Sequence, residues 1–423
     1  MRSLRIRTLV TILLLSVAAS VGCRVSQTPA GIAARAQKIH DRILSIDTHC
    51  DTPHNLMRSD WKAGEAHDVK TRGGGQVDLP RMKQGRLDAE FFAAFVGQGE
   101  GTPEKYAKAR EAALQQIDAV RRMCRDYPAL VGLALTPDDA LRLKKEGRLS
   151  AFIGMENGYP IGRDLSLVQE YFERGVRLLT LVHSRDNDLC DSATDQRAPE
   201  DAGLSEFGAA VVRECNRVGM MIDVSHASDK SFYGVLRATR APILASHSCA
   251  RAVTDNPRNL DDDMLRALAR NGGVIQICFL SRYVKDSGPN PELDKARREI
   301  EAKYGPVQDI KDEAVRARRR EELEAAFWRY PGVRATVKDL VDQIDHVRRL
   351  VGIDHVGIGT DFDGGGGVVG CNDASEMFHV TEELLRRGYG EREIGKIWSG
   401  NTLRIFRRVL EVARGLRSES RAK

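Results

Sequence analysis

From position 45 onward the chain alternates short β-rich runs with stretches of helical periodicity. That alternation restricts it to a parallel α/β architecture, because parallel neighbours need a crossover connection and a helix is the usual one. Eight runs can be counted, at 45–51, 89–96, 150–156, 177–183, 220–226, 242–247, 273–279 and 356–361. Between them lie amphipathic stretches such as 207–217, with Val211, Val212 and Cys215 at near-helical spacing, and 264–269, which follows the acidic helix start Asp261, Asp262 and Asp263. Eight βα units predict a (β/α)8 TIM barrel, an α/β fold. An open doubly wound sheet is the alternative, but no GxGxxG turn follows the first run. A chain of 423 residues, 42% of them hydrophobic, can bury a core of that size.

Several of these runs end in a residue able to bind a metal: His49 and Asp51 in the first, then Glu156, His226 and His247. Barrels of this class carry their active residues at the C-terminal strand ends, so these side chains would converge on one pole. Three imidazoles and two carboxylates suit two divalent ions, with a carboxylate such as Glu156 able to bridge a pair about 3.5–4 Å apart. Water bridging such a pair would be a hydroxide nucleophile near neutral pH. Taken singly, each residue has an ordinary explanation: a hydrogen-bonded structural histidine, a turn cap, an ion pair with arginine. Apolar runs that repeatedly end in histidine are a poor way to build a core, since each buried imidazole needs its own partner.

The ends of the chain and its composition set further limits. Arg2, Arg5 and Arg7 precede the apolar run 9–21, the pattern of an export signal, and Ser20-Val21-Gly22-Cys23 resembles a lipoprotein cleavage site with Cys23 as the lipidated residue. An ordinary signal peptide, or an uncleaved anchor that would be short for a membrane span, is the alternative. The domain reading is a signal at 1–23, a linker at 24–38, a catalytic barrel at 39–415 and a polar tail at 416–423. A net charge of +5 beside 65 basic and 60 acidic residues gives no nucleic-acid footprint. Of eight cysteines, Cys50, Cys249 and Cys278 lie in or beside apolar runs as buried free thiols, and no CxxC pair points to a disulfide framework or a structural zinc site. Residues 286–330, rich in Arg, Glu, Lys and Ala, read as a helical insertion between strands 7 and 8. It is either a lid over the active pole or a hairpin without a part in the chemistry.

The blocks Asp47-Thr48-His49-Cys50-Asp51-Thr52, Met155-Glu156-Asn157-Gly158, Val182-His183-Ser184, Ile222-Asp223-Val224-Ser225-His226, Ser246-His247-Ser248 and Gly359-Thr360-Asp361-Phe362-Asp363-Gly364 occur in this order. Together they resemble the membrane (renal) dipeptidase family of binuclear zinc hydrolases. The resemblance implies two Zn2+ ions, with His49 and Asp51 on one, His226 and His247 on the other, and Glu156 on both. It implies that His183 holds the scissile carbonyl or its oxyanion, and that Asp361 is the acid/base. It also implies that Arg258 binds the substrate carboxylate, that Tyr283 lies beside the substrate, and that the protein pairs as a homodimer. Amide hydrolysis needs negative charge stabilised on oxygen and a proton delivered to nitrogen, which fits the roles of His183 and Asp361. Asp363 is the competing carboxylate, with a turn role as its alternative.

The expectation is therefore an exported, lipid-anchored metallo-dipeptidase hydrolysing small dipeptides through a metal-bridging hydroxide. Another binuclear amidohydrolase, acting on a lactone, a cyclic amide or an amine, is the enzymatic alternative. A non-catalytic surface binding protein is the other.

Overall fold

The computed structural model describes residues 28–421 except 72, 196, 198, 199, 306–309, 311 and 331. The export signal and Cys23 lie outside the described residues. Nine strands form one parallel sheet: β1 (Ile46–Cys50), β2 (Ala89–Phe95), β3 (Val131–Leu133), β4 (Leu149–Glu156), β5 (Val176–Thr180), β6 (Met221–Asp223), β7 (Leu244–Ser248), β8 (Val274–Ile277) and β9 (Val356–Ile358). Eight of them follow one another as β1-β2-β4-β5-β6-β7-β8-β9. The ring closes just past β9, where Asp361 N–H donates to the His49 carbonyl (3.1 Å) and Asp51 N–H donates to the Phe362 carbonyl (2.8 Å). All eight runs expected from the sequence are barrel strands, in the order a (β/α)8 barrel requires.

β3 was not among those runs. It pairs with residues 149–151 of β4, and β5 takes over the same neighbour from Ile153 onward. A three-residue strand carries no usable period, which hides it among the helices on either side.

The connecting helices start where the sequence supplies caps. Ser205 accepts the Gly208 N–H ahead of helix Glu206–Val218, and Asp261 accepts the Met264 N–H (2.7 Å) ahead of Asp262–Arg270. Two boundaries differ from the sequence reading. Residues 29–38, placed in a linker, belong to helix Pro29–Arg42, which buries Ile32, Ala36 and Ile39. Residues 416–421, placed in a polar tail, continue helix Asn401–Arg421. A helix needs only one apolar stripe to dock, so a largely polar segment can still be helical.

The N-terminal end of the barrel is an apolar cluster built from Ile46, Phe91, Phe152, Leu178, Met221 and Leu244, with Phe91 and Phe152 stacked at 4.6 Å. Phe406 and Val409 of the last helix join the same cluster. Between β8 and β9 the helices Pro291–Tyr304 and Glu313–Arg329 form a hairpin with its own small core of Leu293, Ile300 and Ala326. Lys303 Nζ to Glu322 Oε1 (2.6 Å) ties its two arms. The seven described cysteines are free, and all but Cys124 are buried.

Candidate active site

At the opposite end the strands hand over to loops, and the polar residues sit there. β1 ends in His49 and Cys50 with Asp51 next, and β4 ends in Glu156. His183 follows β5, His226 follows β6, His247 lies near the end of β7, and Asp361 follows β9. A register irregularity between Asp47 and Cys50 re-aims the end of β1. His226 (φ 69°) and Asp361 (φ 61°) take the left-handed backbone, as do Asn157 (φ 72°) and Asp363 (φ 65°) beside them. Non-glycine residues held there carry strain of about 1–3 kcal/mol, and such strain gathers at functional sites.

Glu156 is the hub. Its Oε1 lies 3.1 Å from His226 Nε2, 3.4 Å from His247 Nε2 and 3.7 Å from His183 Nε2, and its Oε2 lies 3.6 Å from His49 Nε2. Asp51 Oδ2 is 3.7 Å from His49 Nε2. Three sets of possible ligand atoms lie within 4.8 Å of one another: His49, Glu156 and His247; Glu156, His183 and His226; His49, Asp51 and Asp361. The side chains of His49, Glu156, His226 and His247 are buried, whereas the His183 side chain is 27% exposed, so His183 faces the entrance.

Burial pulls His226 down, helped by the Arg258 guanidinium, and pulls His247 down to about 3, helped by His49. Burial also lowers His183, against the attraction of Glu156. For His49 burial acts the same way, yet Glu156 and Asp51 outweigh it and raise the imidazole well above its ordinary value. Glu156 resists the upward push of burial because His49 and His183 hold it well below the usual carboxylate range. Burial drives Asp361 up to about 8, opposed by His49 and reinforced by Asp51 and Glu156.

The donor set fits a divalent metal. Among the described residues no hydrogen-bond partner meets the buried His49 Nε2 or Asp51 Oδ1, and the Nε2 atoms of His226 and His247 face each other at 2.8 Å. Imidazole nitrogens and carboxylate oxygens turned inward with nothing to satisfy them are the ligands a zinc-type ion takes.

Arg258 is buried at the same pole, donating to the His247 carbonyl (3.1 Å) and to Ser248 Oγ (3.3 Å), with its guanidinium 5.3 Å from the Tyr283 ring centre. Its Nε is buried and has no hydrogen-bond partner among the described residues. Arg251, the other arginine that follows β7 closely, is held by Asp229 through a two-bond pair at 2.7 and 2.8 Å. Asp363 accepts from Thr52 Oγ1 (2.6 Å) and from the Gln76 N–H (2.7 Å), so it ties loops together. Gly364 has a clear reason to be glycine: a Cβ there would stand 2.2 Å from both Asp361 Oδ1 and Asp51 Oδ2.

Sequence reasoning passed over the layer beneath. Asp47 accepts from the N–H groups of Thr360 (2.8 Å) and His49 (3.2 Å), locking the seam between β1 and β9. Glu90, its register partner on β2, is fully buried, and burial beside Asp47 pushes it well above the usual range. Phe95, at the end of β2, packs on His183 at 4.6 Å. A charged residue inside an apolar strand was the available signal for Asp47 and Glu90; Phe95 offered none.

Comparison with known proteins decides the family. The sequence profile of the membrane dipeptidase family (peptidase family M19) matches residues 33–420. The chain belongs to that family. Dipeptidase 3 of Rattus norvegicus is 33% identical over 373 residues, covering 87% of this chain, which spans 65% of the rat protein's length. Dipeptidase ataJ of Aspergillus terreus is 29% identical over 405 residues, covering 90% of this chain and 88% of its own. Among solved structures, the probable dipeptidase PvdM from Pseudomonas aeruginosa superposes with a TM-score of 0.78 at 33% identity, covering 91% of this chain and 100% of that one. Membership accounts for the closed barrel and for the imidazoles and carboxylates gathered at one of its poles.

Proposed function

We propose that this membrane dipeptidase family member is a zinc-dependent dipeptidase that hydrolyses the amide bond of small dipeptides. The observation that carries the proposal is the convergence of His49, Asp51, Glu156, His226 and His247 at one pole, with Asp361 alongside. His49 and Asp51 would hold one Zn2+, His226 and His247 a second, and Glu156 both. Two bound zinc ions would supply an activated water and polarise the scissile carbonyl.

The remaining steps belong to the chain's own residues. His183, the partly exposed imidazole, directs Nε2 into the cluster and can donate to the carbonyl oxygen as negative charge gathers there. Asp361, within reach of His49 and Asp51, is placed to take up a proton and deliver it to the departing amine nitrogen. Arg258 offers a buried fork of donors for a terminal carboxylate, and Tyr283 packs beside it. A site that recognises the carboxylate this close to the hydrolytic centre favours substrates of two residues.

The test is a panel of dipeptides and their C-terminal amides assayed on zinc-loaded protein. Dipeptides should turn over and the amides should lose most of kcat/KM. Equal rates on both would remove Arg258 from its role, and turnover of lactones or cyclic amides alone would replace the reaction.

The basic segment at Arg2, Arg5 and Arg7, the apolar run after it and Cys23 support export and lipid anchoring. No helix among the described residues is long and apolar enough to cross a membrane. Mass spectrometry of the N-terminal peptide should find a lipid on Cys23. A homodimer completes the proposal, and the mass in solution tests it.

A further inference from the structure

Asp223, the last residue of β6, is fully buried and saturated with donors. Its Oδ1 accepts from the N–H groups of Ser225 (2.9 Å) and Ser246 (2.7 Å). Its Oδ2 accepts from the hydroxyls of Thr180 (2.5 Å) and Ser246 (2.6 Å). Four donors pointing at four lone-pair positions define a carboxylate that only accepts. The single proton of the Ser246 hydroxyl is therefore committed to Asp223. Ser246 Oγ also lies 2.7 Å from His247 Nδ1, and with its own proton spent it can only accept there. The hydrogen of that contact belongs to Nδ1.

We infer that Asp223 and Ser246 are positioning residues that fix His247 as the Nδ1–H tautomer and leave Nε2 as a bare lone pair aimed into the cluster. The inference rests on the proposed reading of His247 as a metal ligand. The lone pair points at Glu156 Oε1 (3.4 Å) and at His226 Nε2 (2.8 Å), an arrangement that a cation between them would satisfy. His226 has no such support: its Nδ1 is buried and without a hydrogen-bond partner among the described residues. Of the two imidazoles, His247 has its tautomer set from behind by Ser246 before a metal arrives, whereas no described residue holds Nδ1 of His226.

The test uses full-length protein labelled with 15N-histidine and stripped of metal by chelation. Histidine 15N shifts report the His247 tautomer, and chelator competition reports zinc affinity. The parent should show the Nδ1–H form. Ser246→Ala and Asp223→Asn should lose the single tautomer and weaken zinc binding about 10–100-fold, the usual effect of removing an outer partner of a ligating histidine. Thr180→Val is the control, because it removes an equally short hydrogen bond from the same carboxylate yet leaves Ser246 in place. It should keep both the tautomer and the affinity. An Nε2–H tautomer in the parent overturns the inference, as does unchanged zinc affinity in folded Ser246→Ala and Asp223→Asn. Should those variants fail to fold, the parent's tautomer decides alone. A parent that shows the expected tautomer but binds no zinc would instead sink the metal-ligand reading.

Discussion

The two ends of this barrel are made by the same strands and have opposite chemistry. In β4, Phe152 stacks on Phe91 in the apolar cluster, and four residues later Glu156 holds four imidazoles around it. In β6, Met221 belongs to the apolar end and Asp223 to the polar one. One end lowers free energy by removing hydrocarbon from water. The other packs carboxylates and imidazoles that lack enough protein partners. A strand of this protein therefore holds the fold together with its first residues and carries the chemistry on its last.

Substitutions at each end can break that division. Asp361→Asn should lower kcat by about 10²–10⁴-fold, the range for removing a positioned acid/base, while zinc content and thermal stability stay near the parent's. A large loss of stability would mean that the polar end also carries the fold. Phe152→Ala should show the converse, costing about 3–5 kcal/mol of unfolding free energy in denaturant titration while zinc stoichiometry is kept. Loss of metal from a still-folded Phe152→Ala protein would couple the two ends.

His40 gives a finer test, being a polar group at the apolar end. It is buried against Trp398, bonded to Thr381 Oγ1 (2.7 Å), and lowered by burial from 6.5 to about 4. The unfolded chain takes up a proton near pH 6.5 that the folded chain refuses until about pH 4. Stability should thus fall by about 3 kcal/mol as pH drops through that window, and His40→Gln should remove this part of the slope. An unchanged slope in His40→Gln would assign the acid sensitivity elsewhere. The smallest effect belongs to the hairpin outside both ends. Lys303→Ala removes an exposed, solvent-screened pair with Glu322, and should leave both the unfolding midpoint and kcat/KM close to the parent's. A drop in kcat/KM would make the hairpin a lid.

The strands and the residues at their ends were legible in the sequence because both follow short-range rules. An apolar run ending in His or Glu is visible at His226, His247 and Glu156 without any knowledge of what lies opposite. The inner layer was not legible, since the roles of Asp223 and Ser246 exist only across β6 and β7, and Asp47 meets Thr360 only when the ring closes. The start of helix Pro29–Arg42 is hard to see in the sequence because its few buried residues, Ile32 and Ala36 among them, find their partners far along the chain. Asp361 and Asp363 look equivalent in sequence. They separate only when Thr52 and Gln76 are seen to occupy Asp363.

Zinc titration of metal-free protein, read by calorimetry on the parent and on Glu156→Gln, tests the central claim most directly. A polar pole organised on one shared carboxylate predicts about two ions per parent chain and loss of both high-affinity sites in the variant. A parent that binds none, or a Glu156→Gln protein that still binds two with unchanged affinity, would contradict it.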